Sequence, residues 1–223
     1  MRFALGAALL LAACGRREPA SNNACPHDPS FDRSKFVRVR ADIPQAVLRR
    51  DLDLAGLAKE SSGYAGPGRS QGLTAIEHQL RFSSRIQLET SKGRTCVWME
   101  EVGIDLTPAT VQIFIPREYP DGSCEYDAIL THEREHERVH AEHLSAAAVE
   151  IRDALIGAKW LPAHGNPLET ADRGAAESAL NAKIRKVVTP VYDKYKEKLG
   201  SAQADLDRPD LYQWVSKRCS GWK

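Results

Sequence analysis

The sequence predicts an α+β fold: a small antiparallel or mixed sheet packed against a long helix carrying HExxH, followed by a second long antiparallel helix. Three observations predict it. Between residues 80 and 116, short β-type runs are separated by turn residues. From Tyr126 to about Gly157 the chain is rich in helix formers and carries a stripe of apolar residues. Asn166-Pro167-Leu168-Glu169 then reads as a helix start, with Asn as N-cap, Pro at the first helical position and Glu closing a capping box.

The elements follow in order. Phe36-Val37-Arg38-Val39-Arg40 alternates and predicts a short strand. Residues 44–60 read as a helix opened by Pro44, with Val47, Leu48, Leu52 and Leu57 as its apolar positions. The Gly- and Ser-rich stretch 61–72 reads as a loop, and Leu73 to Gln79 as helical. Leu80–Thr90, Thr95–Leu106 and Thr110–Pro116 read as three strands, with breaks at Lys92-Gly93 and Thr107-Pro108. The last helix should run from Asn166 towards Gly200 with a kink at Pro190.

Composition excludes some classes of function. The 31 basic and 30 acidic residues nearly cancel, and no basic stripe of the kind nucleic-acid binding requires is present. No Gly-rich phosphate loop or nucleophile elbow appears either. Residues 1–13 carry one early charge, Arg2, and then an apolar run. The run is shorter than the roughly 20 residues a bilayer span needs, so it reads as a secretory signal. Its end, Leu11-Ala12-Ala13-Cys14, resembles the bacterial lipobox, which implies a lipid on Cys14. Residues 14–24 would then be a lipidated tether to the membrane, and 25–223 a single domain. Gly15 after Cys14 favours the outer membrane or periplasm. Cys25, Cys96, Cys124 and Cys219 remain, an even number in an exported chain, which predicts two disulfides. If Thr95–Leu106 and Thr110–Pro116 form a hairpin, Cys96 lies near Cys124, leaving Cys25 to pair with Cys219.

The segment Thr131-His132-Glu133-Arg134-Glu135-His136-Glu137-Arg138-Val139-His140 carries the chemistry. On a helical wheel Ile129, Leu130, Leu144, Ala147, Ala148, Ile151 and Leu155 form the packing face, with Arg134, Glu135, Arg138, Glu142, Arg152 and Asp153 opposite. Glu133 and Glu137 fall inside the apolar stripe, flanked by His132, His136, His140 and His143. Carboxylates placed among leucines need compensation, and a divalent cation held by neighbouring imidazoles supplies it. His132 and His136, four apart, project from one face and can grip one zinc ion, with Glu133 beside them as general base. His136-Glu137-Arg138-Val139-His140 is a second, overlapping HExxH, so Glu137 and His140 form an alternative register. His132 and His140 are two turns apart, about 12 Å, and cannot share an ion on an unbroken helix.

Zinc catalysis wants a third protein ligand. If the second helix folds back about residue 162, Asp193 and Glu197 come beside the two histidines, ahead of Glu177. Tyr192 or Tyr195 could then supply an oxyanion donor.

In order along the chain stand Cys96-Val97 with Val102, Ile104 and Leu106, a strand ending Ile115-Pro116, and Ala128-Ile129-Leu130-Thr131-His132-Glu133 with His136. This run resembles a family of small exported bacterial proteins of unknown function, described as zinc-dependent proteases of a minimal gluzincin type. The resemblance covers about residues 60 to 155, and HExxH is its sharp part. It implies a zincin-like domain with His132 and His136 as zinc ligands, Glu133 as base, and a small sheet against the active-site helix. The His- and Glu-rich extension 137–143 departs from the pattern. The reading is a zinc metallopeptidase of the cell envelope acting on a peptide or protein substrate. The alternatives are a non-catalytic zinc-binding lipoprotein and an envelope interaction protein.

Overall fold

The computed structural model describes Cys25 and residues 32–61, 71–91 and 93–222. The signal segment, Cys14 and the tether lie outside the described residues, as does most of the 61–72 loop. The elements are β1 (Val37–Arg40), β2 (Val47–Arg49), α1 (Leu54–Glu60), β3 (Leu73–Glu77), β4 (Arg81–Ser91), β5 (Arg94–Asp105) and β6 (Thr110–Phe114). They continue with α2 (Cys124–Ile156), β7 (Leu168–Thr170), α3 (Arg173–Leu206) and α4 (Pro209–Ser216). The class is α+β, with two mixed sheets.

β4 and β5 form a long antiparallel hairpin that turns at Gly93, whose φ of +79° suits a residue without a Cβ. The register slips between Arg85 and Ile86, leaving an extra residue on β5, and Arg85 reaches both Glu100 and Glu101 at 2.6 and 2.9 Å. The other edge of β5 is shared: β1 pairs in parallel with Val102–Asp105 and β7 antiparallel with Thr95–Val97. In the second sheet β6 is central, with β2 parallel and β3 antiparallel to it.

Four expectations change. The 44–60 helix is a short strand and a short helix. Val47–Arg49 pairs with β6, and Asp53 caps α1 by accepting from the Gly56 amide at 2.7 Å. Leu73–Glu77 is a strand, because β6 offers it five paired positions and too few residues remain for a free helix. The second long helix begins at Arg173, where Asp172 accepts from the Ala175 amide. Asn166 instead turns back on Ala163, and Leu168–Thr170 satisfies its backbone on β5.

The fourth correction concerns the disulfides. They join Cys25 to Cys96 and Cys124 to Cys219, not Cys96 to Cys124 and Cys25 to Cys219. The hairpin that would have placed Cys96 beside Cys124 does not form, since β5 pairs with β4 and β6 crosses to the other sheet. Each bridge closes a loop long enough, at 71 and 95 residues apart, to stabilise the fold by about 4 kcal/mol in the chain-entropy picture. Two disulfides point to an oxidising, exported environment. Among the described residues, no helix is long and apolar enough to cross a membrane.

α2 spans both sheets. Near its N-terminus Ile129 packs with Ile113, Ile115 and Tyr119 of the second sheet and its exit loop. Further along, Leu144, Ala147, Ile151 and Leu155 pack on Val97, Met99, Val102 and Ile104 of the first sheet. α3 covers the same core through Leu180, Ile184, Val188 and Leu199, running antiparallel to α2. The pairings His132 with Asp207, His136 with Gln203 and His140 with Tyr195 show that direction. Between the two apolar stretches of α2 lie Glu133, His136 and His140, all buried.

Candidate metal centre

The predicted motif lies in an unbroken stretch of α2, opened by Ser123, which accepts from the Tyr126 amide, and by Glu125 and Asp127 in the first turn. One helical turn separates His132 from His136, and their Nε2 atoms lie 3.2 Å apart. Asp207, the residue that caps the end of α3, sets Oδ1 3.2 Å from His132 Nε2 and 3.1 Å from His136 Nε2. Three ligand atoms thus form a nearly equilateral triangle. Four donors around zinc at about 2.0–2.1 Å stand roughly 3.3 Å from one another in a tetrahedron, so the triangle has the dimensions of a metal site's face. The group of His132, His136 and Asp207 could hold a metal ion. The histidine side chains are 10% and 11% exposed and that of Asp207 is 46% exposed, so the carboxylate forms the solvent side of the group.

Gln203 supports the centre from one turn before Asp207. Its Oε1 meets His136 Nδ1 in a short contact, and its Nε2 donates to the His136 main-chain oxygen at 3.0 Å. An Nδ1–H held by an amide oxygen leaves the Nε2 lone pair aimed at Asp207 and His132, the tautomer a metal needs. Burial disfavours charge on His136, but Asp207, Glu133 and Gln203 outweigh it and hold its pKa up at about 9. Burial also works against ionisation of Asp207, yet the hydrogen bonds from His132 and His136 hold it well below the usual carboxylate range.

Glu133, buried next to the two histidines, is held by β3. Thr74 Oγ1 lies 2.8 Å from Glu133 Oε2 and 2.9 Å from its main-chain oxygen. Burial raises the Glu133 carboxyl above its ordinary range, with His136, His132 and Thr74 pulling in the opposite direction. Its second oxygen fits only because residue 72 is glycine. A Cβ there would stand 2.5 Å from Glu133 Oε1 and 2.6 Å from Ile129 Cγ2.

The alternative register is split up. Glu137 turns to Arg134 at 3.0 Å, while His140 Nε2 meets the Tyr195 hydroxyl at 3.0 Å and His78 Nδ1 at 3.5 Å. Of the third-ligand candidates, Asp193 is exposed and paired with Lys196 at 2.9 Å, Glu197 is exposed, and Glu177 sits near the start of α3. The fold-back estimate fails because residues 157–172 hold β7. Each α2 position therefore meets an α3 residue further along the chain than a turn at residue 162 would give. Asp207, Gln203, Thr74, Gly72 and His78 were missed. The spacing of Gln203 and Asp207, one turn apart like the two histidines, was the available signal, and many helices carry such a pair.

No family model matches the chain, and no curated protein or solved structure matches it.

Proposed function

We propose that this chain is a zinc-dependent hydrolase of the bacterial envelope, exported and lipid-anchored at Cys14, that cleaves a peptide or protein substrate. The observation that carries the reading is the convergence of His132, His136 and Asp207 on one point beside the buried carboxyl of Glu133. Two imidazoles and one carboxylate are a donor set suited to catalytic zinc, which keeps its remaining position for water or substrate. The resemblance of the HExxH segment to the zinc-protease family supports the same assignment of roles.

When bound, zinc would act as a Lewis acid and bring the pKa of a water it holds towards 7. The protein's own groups do the rest. Gln203 fixes the His136 tautomer, and Asp207 offsets cationic charge on the solvent side. Glu133, with its carboxyl raised by burial, would take a proton from that water and return it to a leaving amine. Thr74 holds Oε2 and so fixes the direction of the carboxyl.

A non-catalytic zinc-binding protein is the second reading, favoured by how completely Glu133 is buried. The Glu133→Gln variant separates the two. The hydrolase reading expects about one zinc per chain in both proteins by elemental analysis, and cleavage of a mixed-peptide substrate by the wild type alone. Equal cleavage by both, or none by either with zinc bound, would contradict it.

A further inference from the structure

The same helix carries a second cluster that the metal centre does not use. His78 lies between β3 and β4, His140 on α2 and Tyr195 on α3. Their donor atoms meet: His140 Nε2 is 3.0 Å from Tyr195 Oη, His78 Nδ1 is 3.3 Å from the same oxygen, and the two nitrogens are 3.5 Å apart. Those three separations bracket the roughly 3.3 Å edge of a tetrahedral zinc site. Three elements far apart in the chain thus bring two imidazoles and a phenol to one point.

We infer that His78, His140 and Tyr195 form a second, weaker site for a divalent transition-metal ion. Both imidazoles are kept neutral, so each can offer one ring nitrogen's lone pair to an ion in place of its present contact with Tyr195. Burial and then the neighbouring His78 and His143 push His140 down to about 4, and burial and Lys196 lower His78. Lys196 is itself paired with Asp193, which offsets its charge. Imidazole nitrogen suits zinc and copper. Burial holds the Tyr195 phenol protonated well above its ordinary range, so it would complete the set only against the positive charge of a bound ion, its proton leaving past the exposed His78. His78 is exposed, which gives an ion its entry, while His140 and Tyr195 are buried beneath it. The site is separate from the first: His136 and His140 are one turn apart, a rise of about 6 Å, beyond the roughly 3.5–4 Å between metals that share ligands. It is also the weaker one. His140 Nδ1 has no hydrogen-bond partner among the described residues, whereas His136 Nδ1 has Gln203.

Equilibrium dialysis of the full chain against zinc tests this. The expected result is two zinc ions per wild-type chain, the second bound about tenfold or more weakly than the first. His78→Ala, an exposed change, and Tyr195→Phe, which keeps the ring, should each bind one. Asp207→Ala should lose the tight ion and keep the weak one, so failure of the first centre reads differently from failure of the second. With copper(II), a phenolate-to-copper absorption band should appear in the wild type and vanish in Tyr195→Phe. A single zinc at saturation in the wild type, or two zincs in both His78→Ala and Tyr195→Phe, would overturn the second site.

Discussion

His136 and His140 occupy successive turns of one helix, both buried, and their surroundings push them in opposite directions. His136 faces a carboxylate on each side, Asp207 and Glu133, and is held protonatable to about 9. His140 lies beside another imidazole and a phenol, and burial above all, then His78 and His143, keeps it neutral down to about 4. The difference lies in α3: its end brings an aspartate and a glutamine, and its middle brings only a tyrosine. One helix thus presents an anionic pocket suited to a tightly held cation and, a turn later, a neutral one suited to a weaker cation.

The largest expected effect that sharpens this contrast is on stability without metal. His136, with its folded pKa raised, contributes stability that is fully present below about 6.5 and lost as pH rises towards 9. His140, with its folded pKa depressed, favours the unfolded state as pH falls from about 6.5 towards 4, because the unfolded chain takes up the proton first. Each limb amounts to at most about 3–4 kcal/mol, since one pKa unit is about 1.4 kcal/mol. Denaturant midpoints of the chelator-treated protein should therefore carry an alkaline limb from His136 and an acid limb from His140, added to the contributions of Glu133 and Asp207, and His136→Gln should flatten the alkaline limb alone. A profile unmoved by either histidine would break the contrast.

Next is Gly72, which only the anionic pocket needs. Gly72→Ala would drive a methyl into Glu133 Oε1, so hydrolysis should fall about a hundredfold while zinc content stays at the wild-type level. Loss of zinc in that variant would mean that Glu133 and the ligands are not separable. Gln203→Leu should weaken zinc binding about tenfold to a hundredfold by freeing the His136 ring, with the His140 cluster unaffected. The smallest change is expected from Cys124→Ser with Cys219→Ser. That bridge ties the segment after Asp207 to the start of α2, and opening it should loosen the tight site about tenfold or less and leave the weak one alone.

How much of this was legible in the sequence varies with distance along the chain. α2 and its packing face could be read directly, because apolar periodicity and capping are local; Ile129, Leu144, Ile151 and Leu155 are buried as their positions predict. The inward turn of Glu133 was equally legible, since a carboxylate in an apolar stripe stands out. β4, β5 and β6 were visible as strands, but their partners were not. The Thr107-Pro108 break looks the same whether the chain folds back on itself or crosses to another sheet, and the cysteine pairing fell with that choice. Leu73–Glu77 shows the reverse error, a short segment whose state is set by β6 and not by its own preferences. Asp207 was hidden because the third ligand depends on the length of the 157–172 connection, which β7 takes up in a way no local pattern announces.

The most direct test of the account is the zinc affinity of Asp207→Asn beside Asp193→Asn, measured by chelator competition at pH 7. Asp207→Asn should weaken the tight site by a hundredfold or more, on the order of 3 kcal/mol, while Asp193→Asn leaves it unchanged. Tight zinc retained in Asp207→Asn, or lost in Asp193→Asn, would contradict a centre built from His132, His136 and Asp207.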